Sequence, residues 1–385
     1  MSEQSRFWIF WSLGLTVLVA LGFYAVLQWN LKNYSQMVAD RLLLLGELRR
    51  GAVQEYFATA DAELRFWSTN DVMLDAQADL LEIWNSDPQL AVRVRQAYLE
   101  DNPHPLGFRL NLDDAGDGSP YSEFHARTHA DARLFVTERG YYDFFLISPT
   151  GDVLYSVEKE ADFATNLIEG PYRDTGLAAA FVQVKRNLRE NIVAVTDMVP
   201  YEPSEGAPAI FMATALTSSA GEFLGVIAVQ LPTDGILGIM NYTSGMGETG
   251  ETYLVGQDLL MRSDSRFTDH STVLQQTVDT PTVERALAGE QGVDYVLDYR
   301  GVEVLSAHLP IDVGDTRWAV MAEIDGAEIK EGAARERPAM TGPLLFIYGL
   351  GLWSVWYWRG RTLPEDGEQY ASLDFGDIDG GGVDS

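Results

Sequence analysis

The sequence predicts an α+β chain in which two copies of one mixed module are strung on a long N-terminal stalk helix, flanked by two transmembrane helices. Three observations predict it. Two uncharged stretches lie at residues 7–29 and 339–358, a helical apolar period follows the first, and one order of strands and helices occurs twice between them.

The first stretch, FWIFWSLGLTVLVALGFYAVLQW, is long enough at about 1.5 Å per residue to cross a hydrocarbon core of about 30 Å. No small-x-small cleavage site follows it, so it reads as an uncleaved anchor rather than a secretory leader. Residues 30–100 continue with Leu42, Leu45, Leu48, Val53, Tyr56, Phe57, Leu64 and Trp67 near one helical face. With no proline before Pro88, a stalk and helical spine is expected to run unbroken off the membrane.

Residues 101–120 are rich in Pro, Asp and Gly and read as a loop that opens the membrane-distal module, residues 101–232. From Gly140 the period becomes that of strands: YYDFFLISPTGDVLYSV reads as a hairpin, followed by a helix at about 176–190 and three strands, IVAVTDMVPY, APAIFMATALTSS and FLGVIAVQL. Residues 233–249 are predicted to be an inter-module helix and a glycine linker. Residues 250–330 repeat the order: ETYLV and LLMRSD as a hairpin, PTVERALAGE as a helix, and VDYVLDYR, VEVLSAHLPI and WAVMAEID as strands. A repeat of about 100 residues is too long for a solenoid and reads as a duplicated module.

The linker contains Gly245-x-Gly247-x-x-Gly250, the spacing of a dinucleotide-binding fingerprint. That fingerprint requires a helix to leave the glycines, so that its N-terminus receives the pyrophosphate. Here a β-branched strand leaves them, so the glycines read as a flexible turn between modules.

Residues 339–358 form the second predicted span, with Trp353, Trp356, Tyr357 and Trp358 just before Arg359 and Arg361 in the manner of an aromatic belt and a positive flank. This topology places both termini in the cytoplasm and the large domain outside, in the periplasm of a cell with an inner membrane. Residues 359–385 are acidic and glycine-rich and read as a disordered cytoplasmic tail with no signalling domain.

Composition narrows the function. With 27 Lys and Arg against 57 Asp and Glu, the chain carries a formal charge of −30, which repels nucleic acid; the acidity suits solubility or a salty medium equally. Five His and no Cys leave few nucleophile and base pairs, no thiolate metal site and no disulfide. No cofactor motif is present, and an enzyme is not expected; a structural or partner-binding ectodomain and a carboxylate-based hydrolase are the alternatives.

The stretches YYDFFLISPTGDVLYSVEKEADFATNL, GPYRDTGLAAAF, GETGETYLVGQDLLMRSDSR and WAVMAEID, on a long helix between two spans, resemble the double Cache sensor domains of bacterial chemoreceptors and membrane-bound kinases and cyclases. The resemblance covers residues 30–330. It implies two PAS-like modules, a small-molecule ligand in the distal one, a homodimer, and a signalling output reached through a separate partner protein.

Members of that family that bind amino acids hold the ligand carboxylate with an Arg and aromatic residues, and its amine with two Asp. This chain offers Tyr172 and Arg173 without the Trp, Asp197 on the third strand, and Gln230 in place of the second Asp. A small carboxylate held by Arg173 is therefore the expected ligand. Tyr155, Lys159 and Tyr201 are candidate partners. The competing readings are a surface ion pair of Arg173 with Asp174 or Glu169, and solvent-facing strand residues for the rest. His125 and His129, four apart on a predicted helix with Glu123 and Asp131 nearby, have tolerable zinc chemistry, but no HExxH motif accompanies them and pairs at this spacing arise by chance, so no metal is expected.

Overall fold

In the computed structural model, which describes residues 3–362, the chain separates into two compact units. One is formed by residues 38–328. The other joins residue 37 and those before it to residue 329 and those after it.

The larger unit begins within α1 (Glu3–Ser68). The expected unbroken stalk ends there, because Thr69 Oγ1 bonds back to the Arg65 and Phe66 carbonyls and Asn70, in extended backbone, accepts the Val72 and Met73 amides. An Asn that satisfies two free N–H groups starts a new helix as effectively as a proline stops an old one. The chain continues as α2 (Asp71–Asn85) and α3 (Leu90–Arg95), which ends in a π-helical turn, then passes through the predicted loop to α4 (Pro120–Arg139). Ser119 caps α4, Pro120 opens it, and left-handed Gly140 closes it.

The distal strands are β1 (Asp143–Ile147), β2 (Val153–Ser156), β3 (Val193–Val195), β4 (Val199–Tyr201), β5 (Ala207–Thr217) and β6 (Phe223–Leu231), with α5 (Gly176–Arg186) between β2 and β3. The sheet is antiparallel in the order β2-β1-β6-β5-β3, with β4 on β5. The predicted third strand is thus two short ones. After α6 (Thr233–Met240) come β7 (Glu251–Val255), α7 (Pro281–Leu287), β8 (Gly292–Leu297), β9 (Glu303–Val313) and β10 (Thr316–Asp325), in the order β7-β10-β9-β8. β7, β10, β9 and β8 take the places of β1, β6, β5 and β3, so the sequence repeat is a structural one. The stretch LLMRSD does not form the expected strand. Arg262 N bonds to Leu254 but Met261 N to Gln276, and the ladder against β7 reduces to one bridge, Val255 with Met261.

Alternation along the strands decides the layers. Phe144, Leu146, Ile210, Met212, Ile227 and Val229 of the distal sheet, and Leu254, Leu309, Ile311, Trp318 and Val320 of the proximal one, share one core with Val53, Ala60 and Leu64 of α1 and Leu80 of α2. The opposite faces are covered separately. Phe145, Ile147, Phe211 and Ala228 pack with Phe181 of α5, and Tyr253, Ala319 and Met321 with Val283 and Ala286 of α7. Leu48, expected on the buried face of α1, is 59% exposed.

The second unit pairs the start of α1 with α8 (Gly326–Thr362). Thr16 Oγ1 and Tyr348 OH share a hydrogen bond of 3.0 Å, and Leu15 lies against Gly351. Phe7, Phe10, Trp11, Leu18, Phe346 and Trp356 are exposed apolar side chains. Among the described residues one helix, within Arg6–Ser68, is long and apolar enough to cross a membrane. Thr341–Trp358 passes the same test only in company with Gly326–Arg337. The predicted tail beyond residue 362 lies outside the described residues.

Gly225 joins the layers. Its φ of 132° is open to glycine, and a Cβ there would collide with the Ile147 carbonyl and the Gln77 amide. That amide docks α2 on the sheet by donating to the Ile147 and Leu224 carbonyls at 3.2 and 2.8 Å. Gly225→Ala is expected to destabilise the large unit by about 2–4 kcal/mol, read as a lowered urea midpoint.

Candidate functional site

α4 lies across the distal sheet because Tyr121, Phe124, His125, His129 and Val136 form a buried stripe at helical spacing. The stripe does not fill the space to α2. Between them a cavity of about 370 Å³ remains, floored by Phe144 and Leu146 of β1 and Tyr155 of β2 and closed by Trp67, Met73, Phe124 and Phe135. Such a volume matches a small-molecule site. Arg127, Thr128 and Asp131 of α4 line its mouth. Arg127 and Asp131 are exposed, and neither has an ion-pair partner among the described residues.

Behind Tyr155 lies a buried basic group. The rings of His125 and His129 stack at 4.2 Å. His129 Nδ1 accepts the Tyr155 hydroxyl at 2.5 Å, while its Nε2 donates to the Leu110 carbonyl at 2.7 Å. Burial and the Lys159 charge hold the His129 imidazole down at about 3 and lower His125 as well. The two therefore serve as neutral core histidines, and no group of three metal-ligating side chains occurs among the described residues. Lys159 is wholly buried and donates to the Val157 carbonyl at 3.2 Å. Its ammonium faces the Tyr98 and Tyr155 rings at 5.8 and 5.7 Å, and burial pulls it down to about 7.

The α5 face of the same sheet carries a second, largely buried polar group, which reaches solvent at Tyr142. Tyr201 donates to Asp162 at 2.5 Å, Ser204 to Glu160 at 2.5 Å, Tyr142 to Glu160 at 2.7 Å, and Gln230 to Ser204 at 3.4 Å. Asp162 Oδ1 and Gln230 Oε1 accept nothing. Sequence reasoning missed Glu160 and Asp162. Their signal was the acidic run EKEAD straight after a strand, muted in a chain that is acidic throughout.

The candidate residues thus scatter. Tyr155 lines the cavity, Lys159 lies behind it, and Tyr201 belongs to the polar group on the other face. Asp197, expected to meet an amine, instead joins the modules. It receives Arg262 Nε and Nη2 at 3.1 and 3.0 Å and Trp318 Nε1 at 2.8 Å, and Arg262 also pairs with Asp258. Arg173 is 59% exposed, with Asp174 at 3.7 Å, which is the surface arrangement; Tyr172 beside it is half-buried. The glycine linker does hold an anion on its amides. That anion is the carboxylate of Glu328, which accepts Glu248 N and Thr249 N at 3.0 and 2.8 Å.

Structural neighbours of the chain are ligand-binding domains of chemoreceptors. The domain of the Pseudomonas aeruginosa amino acid chemoreceptor PctC in complex with GABA has 14% identity and a TM-score of 0.42, with 74% of this chain and 99% of that one covered. That of PctB of the same organism in complex with L-Arg has 12% identity and a TM-score of 0.42, covering 76% and 97%. The sensory domain of a Campylobacter jejuni chemoreceptor has 12% identity and a TM-score of 0.45, covering 79% and 99%. No protein-family model and no curated protein matches the sequence.

The buried acids make stability depend on pH. Burial first, and Glu160 second, push Asp162 up to about 7, against an unfolded value of about 3.9. The folded state therefore holds this proton more tightly, and the stabilisation is complete below the unfolded value and lost as pH rises through about 7. Lys159, lowered to about 7, changes stability only above that pH. Asp162→Asn is expected to abolish part of the fall in stability from pH 4 to pH 7, seen as a smaller decline of urea midpoints than in the wild type.

Proposed function

We propose that the chain is a membrane-anchored sensor that binds a small molecule in the distal cavity, between α2, α4 and the sheet. The observation that carries this reading is the cavity of about 370 Å³ with an aromatic lining and two unpaired opposite charges, Arg127 and Asp131, at its mouth. An apolar body buried there gains about 25 cal/mol per Å². A carboxylate on the same molecule finds in Arg127 a planar, bidentate donor whose charge no neighbour has claimed.

The ligand is thus a small carboxylate with an apolar body, and an amine on it would face Asp131. The carboxylate expected from the sequence is retained, and Arg127 replaces the exposed Arg173 as its partner. The two-pass topology, with the large unit outside the cell and both ends in the cytoplasm, fits α1 and the apolar part of α8, and a homodimer fits the exposed apolar face of α1. Filling the cavity would act on α2 and α4, which share their core with α1, so a ligand that prefers one packing of these helices shifts that packing.

The test is a thermal-shift screen of the full chain in detergent against aliphatic and aromatic carboxylates, amino acids and amines. A ligand at 100 times its dissociation constant adds about 2.7 kcal/mol. Apolar carboxylates should raise the midpoint, Arg127→Ala should remove most of the rise, and Arg173→Ala should leave it. A rise lost in Arg173→Ala and kept in Arg127→Ala would sink the assignment. No rise with any compound would leave a structural or partner-binding ectodomain as the better reading.

A further inference from the structure

The proximal module repeats a feature of the distal one without its solution. Where β1 meets β6, Asp143 faces Gln230, and the Asp143 carboxylate is fully engaged by the Val157 and Glu158 amides and the Ser156 hydroxyl. The equivalent pair where β7 meets β10 is Glu251 and Glu323, two carboxyls directly opposite each other. Side chains so placed lie about 5 Å apart at Cβ. Glu251 is 3% exposed and accepts Tyr299 and Ser265 at 2.8 and 3.1 Å. Glu323 is 1% exposed; burial raises it to about 7, and the Ser306 and Tyr253 hydroxyls lie beside it, yet neither of its oxygens completes a well-formed hydrogen bond.

The surroundings supply oxygen, and among the described residues no cation forms an ion pair with Glu323 or Glu251. Tyr253, fully buried two residues along β7, turns its hydroxyl toward Glu323 without completing a well-formed hydrogen bond, and Ser306, opposite Glu323 on β9, donates to Thr282 and keeps its oxygen lone pairs. The neighbouring cation, Arg300, is consumed by Asp298 and Asp325, both at 2.7 Å. Two buried carboxyls side by side cannot both stay ionised without a counter-charge, and an unpaired buried carboxylate is costly.

We infer that Glu323 and Glu251, with the Tyr253 and Ser306 hydroxyls, form a site for one desolvated alkali-metal cation in the proximal module. An all-oxygen donor set suits a hard cation, and two carboxylates with two hydroxyls leave too few ligands for the 6–8 oxygens of calcium. A chain of net charge −30 draws such cations to its surface. The site is independent of the distal cavity, so neither stands or falls with the other.

The experiment compares thermal midpoints of the full chain in detergent at pH 8 in sodium, potassium and choline chloride at equal ionic strength. Sodium or potassium should raise the midpoint above that in choline, saturably, and Glu323→Gln should erase the difference while Arg127→Ala keeps it. Should Glu323→Gln fail to fold, Tyr253→Phe provides the second reading, with a half-saturating concentration raised about tenfold. Coincident midpoints in all three salts would overturn the inference. So would a stability that falls from pH 6 to pH 8 equally in every salt, which would identify a shared proton as the counter-charge.

Discussion

Two sheets bury one face each against a single helical layer, and that sharing constrains everything else in the large unit. Trp318 of the proximal module and Phe57 of α1 meet edge to face at 6.1 Å, while Trp67 near the end of the same helix meets Phe135 of α4 at 5.5 Å. A helix that serves two sheets cannot rotate to suit one of them without unpacking the other, since close-packed cores take up discrete arrangements rather than sliding. The shared layer is also why the distal cavity is bounded by α2 and α4. These are the pieces of the layer that break away from α1 at Asn70 and can leave a gap.

Much of this arrangement was legible in the sequence because it rests on periodicity. The apolar runs FLGVIAVQL and WAVMAEID placed β6 and β10, and the order of elements that occurs twice in the sequence is matched by the strand order of the two sheets. Elements whose ends are set by side-chain bonds were harder to read. Asn70 ends one helix and starts another without Gly or Pro, and LLMRSD has the composition of a strand but divides its amides between two neighbours. The candidate site was legible only in part. Arg173 and Asp197 are of the residue types that bind amino acids, yet type does not disclose whether a partner is already present, as Trp318 and Arg262 are for Asp197. Arg127 looked like any charge on a polar helix, and its place at the rim of a cavity depends on how α4 lies on the sheet.

The chain's acidity has two different meanings in its two environments. On the surface a carboxylate is hydrated and costs little. Inside, each one needs donors, and the protein supplies them from backbone amides at Asp143 and from hydroxyls at Glu160 and Asp162. Among the described residues, the buried acid oxygens left without a donor are Asp162 Oδ1, on a carboxyl that burial keeps protonated to about pH 7, and both oxygens of Glu323.

The bond set of Asp197 turns a loop into a lever. The segment between β3 and β4 belongs to the distal sheet, while the guanidinium and indole that grip it belong to the proximal module, and Arg262 and Trp318 are 1% and 0% exposed. Three donors from the proximal module and the Met198 amide of its own loop hold that one carboxylate. A change at the distal sheet edge therefore bears on β10 through a charged contact, with the Gln183 amide on the Asp315 carboxylate as a second polar tie between the modules.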